Sequence, residues 1–561
     1  MLFAILIAYL TDAPAASSEL EPKKTESEFP NSTARLNNIR INEYISLKDS
    51  TERQKQLARF YEKRNNELVW FNNGKLNKNG RELIHQLERA DEEGLSGKFY
   101  DLPGIKSEIN YLKLSEDETL HKLAALDLKL TNAYMSFASD ISTGKVNPED
   151  LNVVWETNTE HRNFSEYLKR AIENNKVEES LINLRPAHKQ YKLLVEAHKK
   201  LSAKKNNGSW ILPGNNIPTL EEGDSLPEVV HIKKRLSSSG YLVEDDSSYI
   251  NSLLFDMQLT LAVKNFQRHH GLKADGVVGA NTLAEMNKPI EYRLAQIRLN
   301  LDRLRWLPNS VGNRDIIVNI PDYKLQYFEN NELAQEMGVV VGKTANYTPA
   351  LKDTITYLVF NPTWNVPYSI ATEEMLPKIK ADPSYISRNN FKLLRGSYLS
   401  DDEINPDSVN WYEITADNFP FFIVERPGNG NALGRVKFIL PNNYSIYLHD
   451  TPADHLFNRS KRDFSHGCIR LEKPFLLAKL LLESEMTSYE IDRMLASNET
   501  QTVVLDKPVA VHLVYQTAWI DDFGELQFRN DIYGFDRMSF SLLEESNKIT
   551  PEEIEIKTVN H

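Results

Sequence analysis

The sequence predicts a multidomain α+β protein with a helical N-terminal half, a small three-helix module and a β-rich C-terminal domain. Three observations predict it. The chain has 561 residues, more than one compact core supports, which favours three or four domains. Apolar residues recur at helical spacing as far as about residue 203. From about residue 313 they give way to short β-branched and aromatic runs separated by turn residues. With 41% hydrophobic and 26% charged residues, most of the chain is neither disordered nor fibrous.

Taken in order, Met1-Leu-Phe-Ala-Ile-Leu-Ile-Ala-Tyr-Leu10 is an apolar run followed by the small-residue stretch Ala13-Pro14-Ala15. It reads as a signal peptide over 1–16, without the usual basic residues, and predicts export. The run falls short of the roughly 20 apolar residues that span a bilayer, so no stable membrane insertion is expected after cleavage. Residues 17–39 are polar and read as a flexible tether. A helical scaffold is expected over 40–203. In it Leu83, Ile84, Leu87 and Ala90 lead to a stop near Gly94, and Leu123, Leu126, Leu130, Ala133, Phe137 and Ile141 lead to one at Gly144. Lys204 to Ser209 breaks the periodicity as a linker.

The module at 225–289 centres on Leu261-Ala-Val-Lys-Asn-Phe266-Gln267, Gly271-Leu272, Asp275-Gly276, Gly279 and Thr282-Leu283. The first run is a helix, Gly271 falls at its left-handed cap, and Asp275-Gly276 is a turn. His269-His270 reads as a solvated helix end rather than a metal pair, because adjacent helical positions diverge. Strands are expected at Ile316–Ile320, Lys324–Phe328, Met337–Val341, Tyr357–Phe360, Val436–Leu440 and Tyr444–Leu448, with a helix over Leu476–Leu482. The β domain spans 313–500, interrupted by an insertion at about 370–417 that carries Trp411-Tyr412. An insertion of that size suggests a lid. Residues 501–537 are expected as strands packed on the scaffold or the β domain, and 538–561 as a tail.

The chemistry concentrates in Tyr447-Leu-His449-Asp450-Thr451-Pro452 and Phe464-Ser465-His466-Gly467-Cys468-Ile469-Arg470-Leu471. Cys468 is the sole cysteine, which excludes a disulfide within the chain and a cysteine cluster for zinc. A thiol becomes a nucleophile when a base or a positive group favours its thiolate. His466 lies two residues before it and His449 at the end of a preceding strand. His449 is favoured as base because it can face Cys468 across the gap between segments. The Asp450 carbonyl can hold the other ring nitrogen. Gly467 permits a sharp turn that points the amides of His466, Gly467 and Cys468 at an oxyanion, each worth ~3 kcal/mol in known cases. Arg470 suits a substrate carboxylate, and Tyr447 and Ser465 are candidates to line the substrate. No metal or organic cofactor is expected. The formal charge of -13 argues against nucleic acid as a partner.

His449…Ser465-His466-Gly467-Cys468-Ile469-Arg470 resembles the active-site motif of L,D-transpeptidases, H-x(15)-S-H-G-C-x-R. Val341-Gly342-Lys343…Thr348-Pro349, Asn361-Pro-Thr-Trp364-Asn-Val-Pro367 and Asn431-Ala-Leu-Gly434-Arg-Val-Lys-Phe438 resemble that family too, in its large Gram-negative type. The module at 225–289 resembles the three-helix peptidoglycan-binding domain of cell-wall enzymes. The resemblance spans about 60 to 537 and implies a periplasmic enzyme, targeted by carbapenems, whose partners are peptidoglycan stem peptides and glycan strands, with other cell-wall synthesis enzymes as further partners. It implies that Cys468 attacks, His449 is the base, and residues 466–468 form the oxyanion hole. The implied reaction expels D-alanine from a tetrapeptide stem and passes the acyl group to a second diaminopimelate amine, a 3→3 cross-link. Water or a lipoprotein amine are alternative acceptors, and an idle wall-binding scaffold is an alternative of another class.

Overall fold

The computed structural model describes residues 52–112, 116–151, 153–155, 162–243, 247–307 and 314–548. The expected leader, the tether and residues 549–561 of the expected tail lie outside the described residues.

The N-terminal region is helical. Helix α1 (Lys78–Glu88) begins where the Asn77 side chain accepts the Gly80 amide, satisfying one of the four amides a helix start leaves open. The turn that follows it closes at Gly94, with φ +75°. Helix α2 (Glu116–Thr143) stops at Gly144, and its face of Leu126, Leu130, Ala133, Phe137 and Ile141 is buried. Helix α3 (Lys189–Asn206) packs on the helix that joins the domains. In the small module, α4 (Pro227–Ser239), α5 (Met257–His269) and α6 (Ala280–Met286) enclose their own core. Gln267 locks its turn: the side-chain amide donates to the Val277 carbonyl and its oxygen accepts the Gly276 amide. His270 corrects the expectation of a solvated end. It is buried between Phe266 and Phe528, with ring centroids 3.9 and 5.6 Å away, and burial holds its pKa well below the usual imidazole value.

Helix α7 (Ile290–Trp306) is buried almost along its whole length despite four arginines. Arg293 pairs with Glu285 of the small module. Asp302 accepts the amides of Lys145 and Val146 from the helical region. Arg303 pairs with Asp536 at 2.6 Å, and Gln296 donates to the carbonyls of Thr517 and Arg529. Charges removed from water need partners, and these partners come from three parts of the chain. The helix therefore fastens the domains together.

The C-terminal domain is built on β1 (Arg314–Asn319), β2 (Lys324–Glu329), β3 (Glu332–Gly342) and β4 (Leu351–Phe360). An insertion contributes β5 (Trp364–Asn365), β6 (Phe391–Arg395), β7 (Glu403–Ile404) and β8 (Phe421–Glu425). The chain then returns through β9 (Val436–Ile439), β10 (Leu448–His449), β11 (Asp463–Ser465), β12 (Ile469–Leu471) and β13 (Gln501–Val514). The main sheet runs β11-β3-β12-β10-β9-β4-β13-β1-β2, and β3 also pairs with β2, so the sheet closes on itself. Helix α8 (Pro474–Leu482) covers its core with Leu477, Ala478, Leu481 and Leu482.

Four expectations need correction here. Strand β13, expected to pack on the scaffold or the β domain that ends at 500, is itself part of that domain's sheet, paired with β4 and β1. The expected tail begins as a helix, Phe535–Lys548. The run Tyr444–Leu448 is strand only at its end, because Asn442 accepts the amides of Tyr444 and Ile446 and Ser445 turns left-handed at φ +57°. The insertion is wider than 370–417. Its sheet runs β5-β8-β6-β7, so Phe421–Glu425 belongs to it, and Trp411 is buried in its core while Tyr412 is exposed.

Candidate active site

Strands β10 and β12 run parallel, with Leu448 opposite Ile469 and His449 opposite Arg470. Leu448 and Ile469 are fully buried in the core. By the period of two along a strand, Tyr447, His449, Cys468 and Arg470 lie together on the other face. Strand β9 adds Lys437 to that face, opposite His449 on its far side. His449 is 4% exposed, and its Nδ1 lies 2.6 Å from the Asp450 carbonyl oxygen. That acceptor fixes the proton on Nδ1 and leaves Nε2 unprotonated in the neutral ring, which is what a general base requires; the Leu433 carbonyl also faces the imidazole.

Cys468 is half-buried, and its Sγ lies 3.5 Å from the Ser445 carbonyl. Burial pushes the thiol pKa up, opposed by hydrogen bonds from the Tyr447 amide and phenol and by the charges of Lys437 and Arg470. Burial lowers the His449 pKa to about 3, and Arg470 and then Lys437 act in the same direction. The resting pair is thus thiol and neutral imidazole.

The turn before Cys468 is held from within. Gly467 has φ +114°, a conformation side chains resist, and its carbonyl accepts the Thr348 hydroxyl at 2.7 Å. Ser465, expected to line the substrate, is buried. Its hydroxyl donates to the Cys468 carbonyl at 2.6 Å and accepts the Gly467 amide. It is part of the turn, and the Gly467 amide is engaged there rather than free for an oxyanion. His466 turns the other way, with Nε2 2.7 Å from Glu374 of the insertion and 3.4 Å from Lys343 Nζ. The Asp450 carboxylate accepts the amides of Arg435 and Thr451, and Gly434 packs so closely on it that a Cβ would collide.

The family model of the L,D-transpeptidase catalytic domain matches residues 313–502, the segment holding all of these side chains. Residues 313–502 thus form an L,D-transpeptidase catalytic domain. Two further models match the chain, one described as "Putative peptidoglycan binding domain" over 225–286 and a scaffold domain over 55–197. A curated Haemophilus influenzae protein named "Putative L,D-transpeptidase" is 39% identical over 243 residues, covering 43% of this chain and 48% of that protein. The chain thus spans about half the length of that relative. Among solved structures, an L,D-transpeptidase from Xylanimonas cellulosilytica is 13% identical over 54% of this chain and 100% of its own, with TM-score 0.17. One from Stackebrandtia nassauensis is 12% identical over 53% and 94%, with TM-score 0.21. Overlays at that level add nothing to the fold described above.

Sequence reading missed two residues at this site, Lys437 and Glu374. Alternation along Val436-Lys-Phe-Ile-Leu440 puts Lys437 on the face away from the core, but its register against His449 is a tertiary fact. Glu374 reaches His466 only through the folding of the insertion, and local pattern gave no signal for it.

Proposed function

We propose that this protein is an L,D-transpeptidase that modifies peptidoglycan by cysteine acyl transfer, with Cys468 as nucleophile and His449 as general base. The observation that carries the reading is the His449 Nδ1 contact to the Asp450 carbonyl on the strand beside Cys468. A neutral imidazole with a free Nε2 removes the thiol proton as Sγ attacks the carbonyl of the third stem residue. The proton then passes to the departing amine of D-alanine. The donors left for the oxyanion are the amides of His466 and Cys468. Transfer of the acyl group from sulfur to the side-chain amine of a second stem gives the 3→3 link. The module at 225–286 keeps the enzyme on the glycan, and the apolar run at the start of the chain directs it to the periplasm.

The test is incubation of purified protein with tetrapeptide muropeptides and identification of the products by mass. Dimers lacking one D-alanine support cross-linking, whereas tripeptides alone would assign the acyl-enzyme to water. Absence of both products, with a Cys468→Ala variant indistinguishable from wild type, overturns the reading.

A further inference from the structure

A row of side chains crosses the sheet at the level of His449. On one side the register places Arg470 of β12 opposite it, and on the other Lys437 of β9. Neighbouring strands lie about 4.8 Å apart, so the imidazole has a cation one strand away in each direction. Both cations are half-buried. The Lys437 ammonium sits 3.6 Å from the centroid of the Tyr447 ring, whose phenol hydrogen-bonds to Cys468. The Arg470 Nε is buried without a hydrogen-bond partner. Among the described residues, no carboxylate pairs with either of them.

Two half-buried charges of one sign, flanking a base, cost stability unless an opposite charge joins them. By contrast, Arg293, Arg303 and Arg305 are buried with carboxylates beside them. The Cys468 thiolate can face both cations, but Cys468 rests as a neutral thiol, and among the described residues no carboxylate supplies the anion missing from the row. We infer that Lys437 and Arg470 together receive a carboxylate of the donor stem peptide, and that Lys437 is a specificity-determining residue for anionic donors. This rests on the reading of Cys468 and His449 as the reacting pair.

The same placement couples binding to chemistry. Lys437 and Arg470 both disfavour the imidazolium form of His449. A carboxylate between them cancels part of that repulsion when the proton leaves Sγ for Nε2. Burial lowers the Lys437 pKa, and the charge of Cys468 raises it. Arg470 is affected in the same two ways. The groups facing His449 are therefore Lys437 from β9, Arg470 from β12, Cys468 just before that strand, Tyr447 and the Asp450 carbonyl from its own segment, and the Leu433 carbonyl.

Two donor carboxylates lie near the scissile bond, the terminal one of the leaving D-alanine and the one on the third residue's side chain. The test compares three tetrapeptide donors: the free acid, one amidated at the terminal carboxyl and one amidated at the side-chain carboxyl. Acyl-enzyme formation on the full chain is followed by intact mass. Wild type is expected to prefer the free acid by about 10-fold or more in kcat/KM over one of the amides, since a charge-assisted contact is worth that much. That amide identifies the carboxylate. In Lys437→Gln the preference should fall to about 1–3-fold, while Lys437→Arg, which keeps the charge, should retain it. A wild type that uses all three donors equally, or a Lys437→Gln that loses all three in the same proportion, overturns the assignment and leaves Cys468 as nucleophile untouched. If no donor acylates wild type, the functional reading fails along with it.

Discussion

Glu374 Oε1 lies 2.7 Å from His466 Nε2, joining the insertion to the turn that carries Cys468. Glu374 belongs to a π-helical turn, Ile370–Met375, a feature found often at functional sites. Lys343 Nζ, 3.4 Å from the same nitrogen, completes a cluster beside the Cys468 turn. Both side chains of the pair are over a third exposed, so the contact is worth little in stability, and its use is to seat the insertion. Glu374→Gln should lower cross-linking about 2–5-fold in muropeptide assays, with thermal stability unchanged. A loss equally large for acylation by a small carbapenem would place Glu374 in the chemistry instead.

The nucleophile and base assignments give the sharpest contrast. Cys468→Ala should abolish acylation while near-UV circular dichroism stays that of wild type. His449→Ala should lower the acylation rate by on the order of 100-fold or more. A His466→Ala variant as inert as that, beside an active His449→Ala, would reverse the choice of base.

The pH profile follows from His449. Its pKa is lowered to about 3, chiefly by burial, so the imidazole is neutral and able to accept a proton at any pH well above that. Protonation of the base therefore removes activity only as pH falls toward 3. The thiol is held above its ordinary value by burial, so the resting pair stays uncharged through neutral pH. Acylation kcat/KM, which reports the free enzyme, should stay level within about 2-fold from pH 5 to 7.5. A limb with a midpoint near 6.5 would show that His449 titrates as an exposed imidazole.

Ser465 marks one boundary of what sequence reading supplied. The S-H-G-C stretch pointed to the site, and the period of two put Tyr447 beside His449, but that Cys468 and Arg470 share their face follows only from the register of β10 and β12. Whether the Ser465 hydroxyl faces substrate or folds back on its own turn depends on the φ of Gly467, which local pattern does not carry. Helix α7 marks another. Its arginines and Asp302 look like a solvated face, and their burial depends on local pairs such as Arg305–Asp302 together with distant partners such as Asp536 for Arg303 and Lys145 for Asp302. The insertion was legible as an interruption, but its edges were not, because β5 and β8 pair only with each other and β6.

Ser465→Ala tests that turn. It removes a donor to the Cys468 carbonyl and the acceptor of the Gly467 amide, leaving two buried polar groups unpaired at about 1–3 kcal/mol each. Alkylation of Cys468 and carbapenem acylation should both slow by about 10-fold, with a lower Tm. Normal acylation with altered stem-peptide KM would return Ser465 to a substrate role.

The insertion itself is the last test. It leaves β4 at Phe360 and rejoins at Val436, which pair with each other, and the Asn361 amide donates to the Arg435 carbonyl at 2.8 Å. Its two ends are thus clamped side by side, so the whole unit can be replaced without stretching the sheet. Cutting at 370 and 417 would strand β5 and β8 without β6, whereas replacing 363–430 with a short Gly-Ser linker removes a complete layer with its own core. A glycan polymer needs an open cleft, yet an acyl-enzyme waiting for an amine is better kept from water. Glu374 is where the insertion meets the Cys468 turn. Carbapenem acylation of the shortened chain should survive within about 10-fold. Cross-linking should fall by 10-fold or more, and hydrolysed tripeptide should become the larger share of product. An unchanged ratio of cross-linked to hydrolysed product would make the insertion a surface decoration, and acceptor choice would then have to be set by the cleft beside His449.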